Sequence, residues 1–364
     1  MTDYVCETCL KQFNQKSHFT AHKARKTPCK KNTVIETLIQ KKVEEVLQKT
    51  QPKLQVPTQQ NLVRPILKWV GGKTQILEEV LTNFPKEMNN YYEPFLGGGS
   101  VLLGVLSWKK AGKLTIRGTV HASDVNANLI ALYKTIQSNP TELWNECLLL
   151  RQAFEAITGT EIHRAPSEAQ STTSQESYYY WIRKKFNSLT KEEKLSVKGS
   201  AMLLFLNKTC FRGVYREGPN GFNVPFGHYK NPGILDEAHL REVSALIQPV
   251  VFSVKSFEQV LPSIAAGDFA YLDPPYAPET DKSFVGYVAD GFSLDQHKQL
   301  FTLCDALVQR SANILLSNHN VKLVRDAFPS PKYLTKELSV RRAIHSKTPD
   351  AKTTEVLIKS QPSI

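Results

Sequence analysis

Three short runs of the sequence combine residue types able to hold and act on a planar amine. Asp268-Phe269-Ala270-Tyr271-Leu272-Asp273-Pro274-Pro275-Tyr276 is an apolar, strand-like run that ends in a carboxylate, two prolines and an aromatic ring. The prolines fix the backbone and leave carbonyls without competing N–H groups. The Asp273 carboxylate and the Pro274 carbonyl can then accept both N–H bonds of an exocyclic amine, while Tyr276 offers a face on which a planar base stacks. Leu67-Lys68-Trp69-Val70-Gly71-Gly72-Lys73 sets a glycine pair between an aromatic ring and a lysine. Such a pair lets backbone approach a ligand closely, and Lys73 supplies a charge near a carboxylate. Tyr91-Tyr92-Glu93-Pro94-Phe95-Leu96-Gly97-Gly98-Gly99-Ser100 reads as strand, glycine turn and helix N-terminus, the arrangement of nucleoside-cofactor folds. The dinucleotide fingerprint Gly-x-Gly-x-x-Gly is not matched. About 25 residues later Asp124 ends the apolar run before Val125-Asn126, where it can accept hydrogen bonds from ribose hydroxyls.

A fourth constellation suits a metal. Cys6 and Cys9, two residues apart, can grip one ion from a turn, and the following stretch lets a helix swing His22 back toward it. Phe13 and Phe19 supply a core too small to fold unaided. The competing reading is free cysteines in a disordered tail. Residues 4–31 resemble the ββα zinc finger family, with Cys29 in place of the usual second His. The six-residue gap before Cys29 exceeds that family's usual three to five, and His18 is the rival ligand. The resemblance implies a structural zinc ion on Cys6, Cys9, His22 and Cys29, and a finger that binds either DNA or protein.

The elements that must position these groups follow from the wider pattern. The chain has 364 residues, 41% of them apolar and 22% charged, which excludes a wholly disordered or fibrous protein. Its net charge of +12 points to a polyanionic partner. Residues 1–53 carry 11 Lys+Arg and 5 Asp+Glu, half of that excess. No stretch approaches the ~20 apolar residues of a membrane span. The N-terminus lacks a signal peptide's pattern and the six cysteines are too few for a disulfide scaffold, so a soluble, intracellular protein with no membrane partner is expected. Ile35, Leu38, Ile39, Val43, Val46 and Leu47 predict a short amphipathic helix over 33–49, either a connector or a dimerising coiled coil, with a linker at 50–61. From residue 62 apolar runs alternate with helical segments, the mark of an α/β sheet. Strands are predicted near 89–95, 116–123, 250–254, 268–273, 312–317 and 332–340. A mostly helical insertion lies between the second and third of them. The expected domains are residues 1–32, a connecting segment 33–61, an α/β domain of 62–138 with 249–360, and the insertion 139–248.

Residues 62–358 resemble the Dam-type, D12 class DNA adenine-N6 methyltransferases. The order of motifs is theirs: cofactor loop, recognition insertion, Asp273-Pro274-Pro275-Tyr276. The run Leu206-Asn207-Lys208-Thr209-Cys210-Phe211-Arg212-Gly213-Val214-Tyr215-Arg216, continuing into Gly221-Phe222-Asn223-Val224-Pro225-Phe226-Gly227, is similar to that family's DNA-reading hairpin. The resemblance implies a Rossmann-like sheet that binds S-adenosyl-L-methionine, with an inserted, mostly helical DNA-recognition domain. It implies cofactor contacts from Trp69, Lys73, Asp124 and Asp273, and a pocket shaped by Glu93, Phe95 and Gly97. Lys68, Phe211 and Arg216 would contact double-stranded DNA, although Phe211 can wedge between bases without donating a hydroxyl hydrogen bond. Catalysis would rest on Asp273, Pro274 and Tyr276, and the target would be adenine in a four-base palindrome, CATG or GATC. Two other readings stand beside this one. An N4-cytosine methyltransferase usually has Ser where this chain has Asp273, and an inactive zinc-finger DNA-binding or regulatory protein would be expected to have damaged motifs. A solitary enzyme and the protective half of a restriction system would look alike in this chain. A monomer suffices, since each strand can be methylated in turn. A finger joined to such an enzyme hints at a virus or mobile element of a eukaryotic host.

Overall fold

The computed structural model describes residues 4–9, 11–27, 29, 62–278, 292–341 and 352–361. The chain divides into two compact units, 1–61 and 62–364. In the first, strands β1 (Tyr4–Val5) and β2 (Gln12–Phe13) pair antiparallel, with Tyr4 opposite Phe13, and helix α1 (Lys16–Lys23) follows. Phe19 joins the two strands to the helix, its ring 5.8 Å from Tyr4 and 5.9 Å from Phe13. The helix expected over 33–49 and the linker at 50–61 lie outside the described residues.

The second unit is built on a sheet. Its strands in chain order are β3 (Glu87–Met88), β4 (Tyr91–Glu93), β5 (Thr115–Ile116), β6 (Val120–Asp124), β7 (Glu217–Gly218), β8 (Gly221–Phe222), β9 (Val250–Val254), β10 (Phe269–Leu272), β11 (Asn313–His319), β12 (Tyr333–Arg341) and β13 (Lys352–Ser360). Seven of them form one sheet in the order β12-β13-β11-β10-β4-β6-β9. The run from β11 to β9 is parallel, and β13 and β12 add antiparallel at one edge. This is an α/β fold with a mostly parallel central sheet. Each of the six expected strand regions holds one strand of this sheet. The seventh, β13, has no counterpart among them. Its first half, Lys352-Thr353-Thr354-Glu355, is polar, and Val356, Leu357 and Ile358 are all buried, so it shows no alternation. The stretch 116–123 also breaks after β5, where the Thr119 N–H donates to Asn90 Oδ1 at 2.8 Å.

Both faces of the sheet are covered, and side chains alternate between them. Tyr91, Phe269, Tyr271, Leu315 and Leu357 enter one core, whereas Tyr92, Ala270, Leu272, Leu316 and Ile358 enter the other. Helices α2 (Leu77–Thr82), α3 (Ser100–Lys110), α4 (Ala127–Ser138), α5 (Pro140–Glu155), α6 (Gln175–Ser188), α8 (Val197–Thr209) and α9 (Glu237–Leu246) contribute to the first core; α7 (Lys191–Lys194) is a short turn between α6 and α8 that buries no residue. The segment between β6 and β9 therefore shares one continuous core with the sheet. Its entry is sharp, because Asn139 both ends α4 and precedes α5, with Pro140 in the first turn. Helices α10 (Phe257–Val260), α11 (Leu294–Gln309) and α12 (Lys322–Ala327) cover the other face. Among the described residues no helix is long and apolar enough to cross a membrane.

The chain runs outward from β4 to β6 and β9, then returns to place β10 on the other side of β4. The order reverses between β4 and β10. In open α/β sheets ligands bind at such a switch point, outside the carboxyl ends of the strands.

Candidate active site

Asp273 follows β10 at that switch point, and Lys73 reaches it from 200 residues away. Lys73 Nζ donates to Asp273 Oδ2 at 2.7 Å and to the Gly71 carbonyl at 2.7 Å, while its backbone N–H donates to Ser100 Oγ at 3.0 Å. Only 4% of the Lys73 side chain is exposed, so the pair is shielded from solvent screening. Burial pushes the Asp273 carboxyl up from the ordinary range, and the Lys73 charge opposes that shift. Oδ2 is occupied. Among the described residues no hydrogen bond reaches Oδ1 or the Pro274 carbonyl.

Tyr276 is fixed from three sides. Its hydroxyl donates to Glu355 Oε2 at 2.9 Å, its ring meets His319 edge-on at 4.8 Å, and Lys73 Nζ lies 5.0 Å from the ring centroid. The next residue is pinned by β11: the Ala277 N–H donates to Asn318 Oδ1, and its carbonyl lies 2.9 Å from His319 Nδ1.

The acidic groups at the ends of β4 and β6 differ in their partners. Asp124 accepts from the Gly97 N–H at 3.0 Å through Oδ2 and from the Asn126 N–H at 2.9 Å through Oδ1. Burial raises its pKa, and the N–H groups of Asn126 and Gly97 hold it back. Glu93 is buried and accepts from Tyr91 Oη at 2.6 Å; desolvation lifts its carboxyl to about 8, so it is largely neutral at pH 7. Phe95 stacks on Phe257 at 5.7 Å and meets Phe292 at 6.0 Å, an aromatic wall beside the switch point. Gly99 takes a left-handed conformation at the start of α3, where a side chain would strike the Tyr133 hydroxyl. Trp69 lies so close to Gly98 that a Cβ there would come within 2.7 Å of the Trp69 Cβ.

Lys68 is tied to the turn that carries Phe211 by a clamp that the sequence did not announce. Asn207, buried in the last turn of α8, accepts from the Lys68 N–H at 3.0 Å and donates to the Lys68 carbonyl at 2.7 Å and the Gly213 carbonyl at 3.1 Å. Phe211 opens a 3-10 turn (Phe211–Gly213) and is 48% exposed, with the Arg212 guanidinium 5.2 Å from its ring centroid. Arg216 is oriented by Asn223, whose Oδ1 accepts from Arg216 Nε at 2.6 Å. The run Phe222-Asn223-Val224-Pro225-Phe226-Gly227 is thus divided in its work. Phe222, Val224 and Phe226 are core, and the Val224 carbonyl accepts from Tyr179 and Arg183. Lys208 is lowered to about 8 by burial and by its neighbour Lys68.

In the first unit Cys6, Cys9, His22 and Cys29 place their ligand atoms within 4.8 Å of one another. Cys6 Sγ and Cys29 Sγ are 3.7 Å apart, and Cys9 Sγ is 3.3 Å from His22 Nε2. Tetrahedral zinc with Zn–S near 2.3 Å requires sulfur pairs ~3.8 Å apart, so the residues fit the ion. The N–H groups of Cys9 and Thr8 pull the Cys6 thiol down to about 6, toward the thiolate form, while desolvation pushes Cys29 up.

Of the groups around the second unit's site, Tyr215, Asn207, Asn128, His319 and Glu355 had no assigned role in the sequence. Asn207 and Tyr215 stand inside the run matched to a DNA-reading hairpin, so that run carried a signal. Glu355 stands on the strand that the sequence pattern hides.

A mostly parallel sheet with a reversal beside β4, a glycine loop behind it, and acidic groups at three strand ends, Glu93 buried and Asp124 and Asp273 half-buried, define the class: an α/β methyltransferase. The family model for D12 class N6 adenine-specific DNA methyltransferases matches residues 69–344, and the chain belongs to that family. It is 37% identical over 263 residues to the type II methyltransferase M.MjaIII of Methanocaldococcus jannaschii, covering 70% of this chain and 84% of that protein. The DNA adenine methylase of Haemophilus influenzae is 30% identical over 77% of this chain and 87% of its own length. That of Escherichia coli is 30% identical over 78% and 90%. The protein is an adenine-specific DNA methyltransferase, and family membership implies S-adenosylmethionine as methyl donor. Residues 4–29 lie outside the matched span.

Proposed function

We propose that the enzyme methylates adenine N6 in a short palindromic duplex site, CATG or GATC, with Asp273, Pro274 and Tyr276 as its catalytic residues. The observation that carries this reading is the division of labour at Asp273: Lys73 holds Oδ2, and among the described residues no hydrogen bond reaches Oδ1 or the Pro274 carbonyl. Those two acceptors match the two N–H bonds of an exocyclic amine. S-adenosylmethionine supplies an electrophilic sulfonium methyl when bound; the residues that would hold it are Trp69, Lys73, Glu93, Phe95, Gly97, Asp124 and Asp273. The backbone-anchored Asp124 keeps lone pairs for a pair of ribose hydroxyls, and Phe95 offers an apolar wall.

Adenine N6 is inaccessible in a duplex, so the base is flipped out at a cost of a few kcal/mol. Phe211, exposed at its turn, fills the gap it leaves, and Lys68 and Arg216 hold the flanking DNA. Arg216, held by Asn223 through Nε and through a long 3.5 Å bond from one terminal nitrogen, gives up that longer bond to turn its terminal nitrogens to guanine O6 and N7, worth ~1–3 kcal/mol of discrimination. Tyr276 stacks on the flipped base. Asp273 and Pro274 would aim the nitrogen lone pair, the Asp273 charge would stabilise the positive charge that develops on N6 as the methyl group leaves the sulfonium, and N6 would lose one of its two protons after attack. Positioning of this kind reaches effective molarities of ~10^5 M or more, so a strong base is not needed. A monomer methylates the two strands in turn.

The first unit is read as a zinc finger on Cys6, Cys9, His22 and Cys29, supported by the three-sulfur, one-nitrogen cluster. Its surplus of positive charge adds DNA affinity. Plasmid DNA from cells expressing the protein, sequenced with detection of modified bases, tests base and site together. N6-methyladenine within one palindrome is expected, and methylated cytosine would refute the reading. Asp273→Ala should abolish transfer of labelled methyl groups and spare DNA binding. Deleting residues 1–53 should weaken DNA affinity and leave the methylated sequence unchanged.

A further inference from the structure

We propose that Tyr215 is a positioning residue that couples cofactor occupancy to reading of the DNA sequence. Its ring stacks on Trp69, with centroids 5.4 Å apart and planes 23° from parallel. Its hydroxyl accepts from Asn128 Nδ2 at 3.1 Å and donates to Glu217 Oε1 at 2.6 Å. The far edge of the ring packs on Phe222 at 5.7 Å. Trp69 belongs to the glycine loop that carries Lys73. Asn128 stands in the first turn of α4, two residues beyond Asn126, whose N–H binds Asp124 and whose side chain caps the helix. One side chain therefore touches both loops assigned to the cofactor. Its immediate neighbour is Arg216, which Asn223 orients, and Glu217 opens the β7–β8 hairpin.

A ligand shifts a conformational balance only through interactions that differ between states. Filling the cofactor pocket presses on Trp69 and on the Asp124–Asn126 turn, and Tyr215 is where both displacements meet the hairpin. The hydroxyl has one proton and gives it to Glu217, so a shift of Asn128 alters the same bond network that sets the start of β7. By linkage, whatever the cofactor does to DNA affinity, DNA does to cofactor affinity. The inference rests on the cofactor and DNA assignments proposed above.

The test measures binding of the duplex the enzyme methylates fastest and of a scrambled duplex, each with and without S-adenosylhomocysteine. In the wild type, S-adenosylhomocysteine should tighten the first by about tenfold and leave the second unchanged. Tyr215→Leu should cut that factor to below about twofold, while binding of S-adenosylhomocysteine alone and of scrambled duplex alone each change by less than about threefold. Asn128→Ala keeps the ring stack, should lower the factor partway, and serves if the leucine variant does not fold. A wild-type factor of one, or the full factor in both variants, overturns the proposal with the pocket assignment intact. Undiminished S-adenosylhomocysteine affinity in Asp124→Ala overturns the pocket assignment itself and this proposal with it.

Discussion

The two units solve the same problem, holding a few side chains in fixed relation, by opposite means. In the first, all four clustered side chains lie between Cys6 and Cys29, and the core is little more than Tyr4, Phe13 and Phe19. In the second, Lys73 meets Asp273 across 200 residues, Asn207 meets Lys68 across 139, and Tyr276 meets Glu355 across 79. There the constellation is held by the cores on both faces of the sheet. On the zinc reading proposed above, a short-range cluster with almost no core would depend on the ion for closure. A long-range cluster on a large core keeps its fold when one member is lost, so a single substitution there falls on function before it falls on structure.

That contrast can be broken outright by one substitution. Cys9→Ala should abolish the fold of the first unit, as should a zinc chelator, while the melting temperature of the second unit stays unchanged; calorimetry of the full chain reads both. A single transition that shifts as a whole would show the units to be interdependent. The next largest effect falls on chemistry. Lys73→Met leaves Asp273 buried without its counter-charge and should lower kcat by roughly a hundredfold. Because loss of the lysine lets burial raise the Asp273 pKa further, the acid limb of the kcat–pH profile should move to higher pH, and an unmoved limb would separate Lys73 from the ionisation of Asp273.

Smaller again is the cost of opening the clamp. Asn207→Ala strands two carbonyls and an N–H, and should destabilise the second unit by about 2–3 kcal/mol in urea melts. The finest test concerns Glu93, whose carboxyl is lifted from an ordinary 4.5 to about 8 in the fold. The folded state then holds a proton that the unfolded chain releases, so this group's stabilisation is complete below about 4.5 and is lost as pH rises toward 8. Wild-type stability should carry a slope of at most about 1.4 kcal/mol per pH unit in that window that Glu93→Gln lacks.

The same contrast decides what the sequence disclosed. In the first unit Cys6, Cys9 and His22 were legible from spacing because the cluster is local, whereas Cys29 was offered by the zinc-finger resemblance against the spacing. In the second unit, Asp124 and Asp273 were picked out because each ends an apolar run, and strand ends are where such sheets bind ligands, whereas Glu93 was named only through the family resemblance. Asn128 and Glu355 were not picked out, because polar side chains at those positions read as surface until partners distant in sequence are known; Asn207 and Tyr215 stood inside the matched hairpin run, but nothing in it told their individual partners. The buried half of Phe222-Asn223-Val224-Pro225-Phe226-Gly227 shows the converse: part of a DNA-reading signature is there to fill a core. β13 was hidden because a strand covered on both faces gives no alternation.

That strand also governs how the enzyme comes into being. β13 is the last strand in chain order, yet it lies between β11 and β12. While residues beyond 351 are still inside a ribosome, β11 presents an open edge, β12 has no neighbour and the Tyr276 hydroxyl has no acceptor. The sheet that carries the site is therefore completed only when Lys352–Ser360 inserts between two strands made before it, and with it comes the carboxylate that holds the Tyr276 hydroxyl.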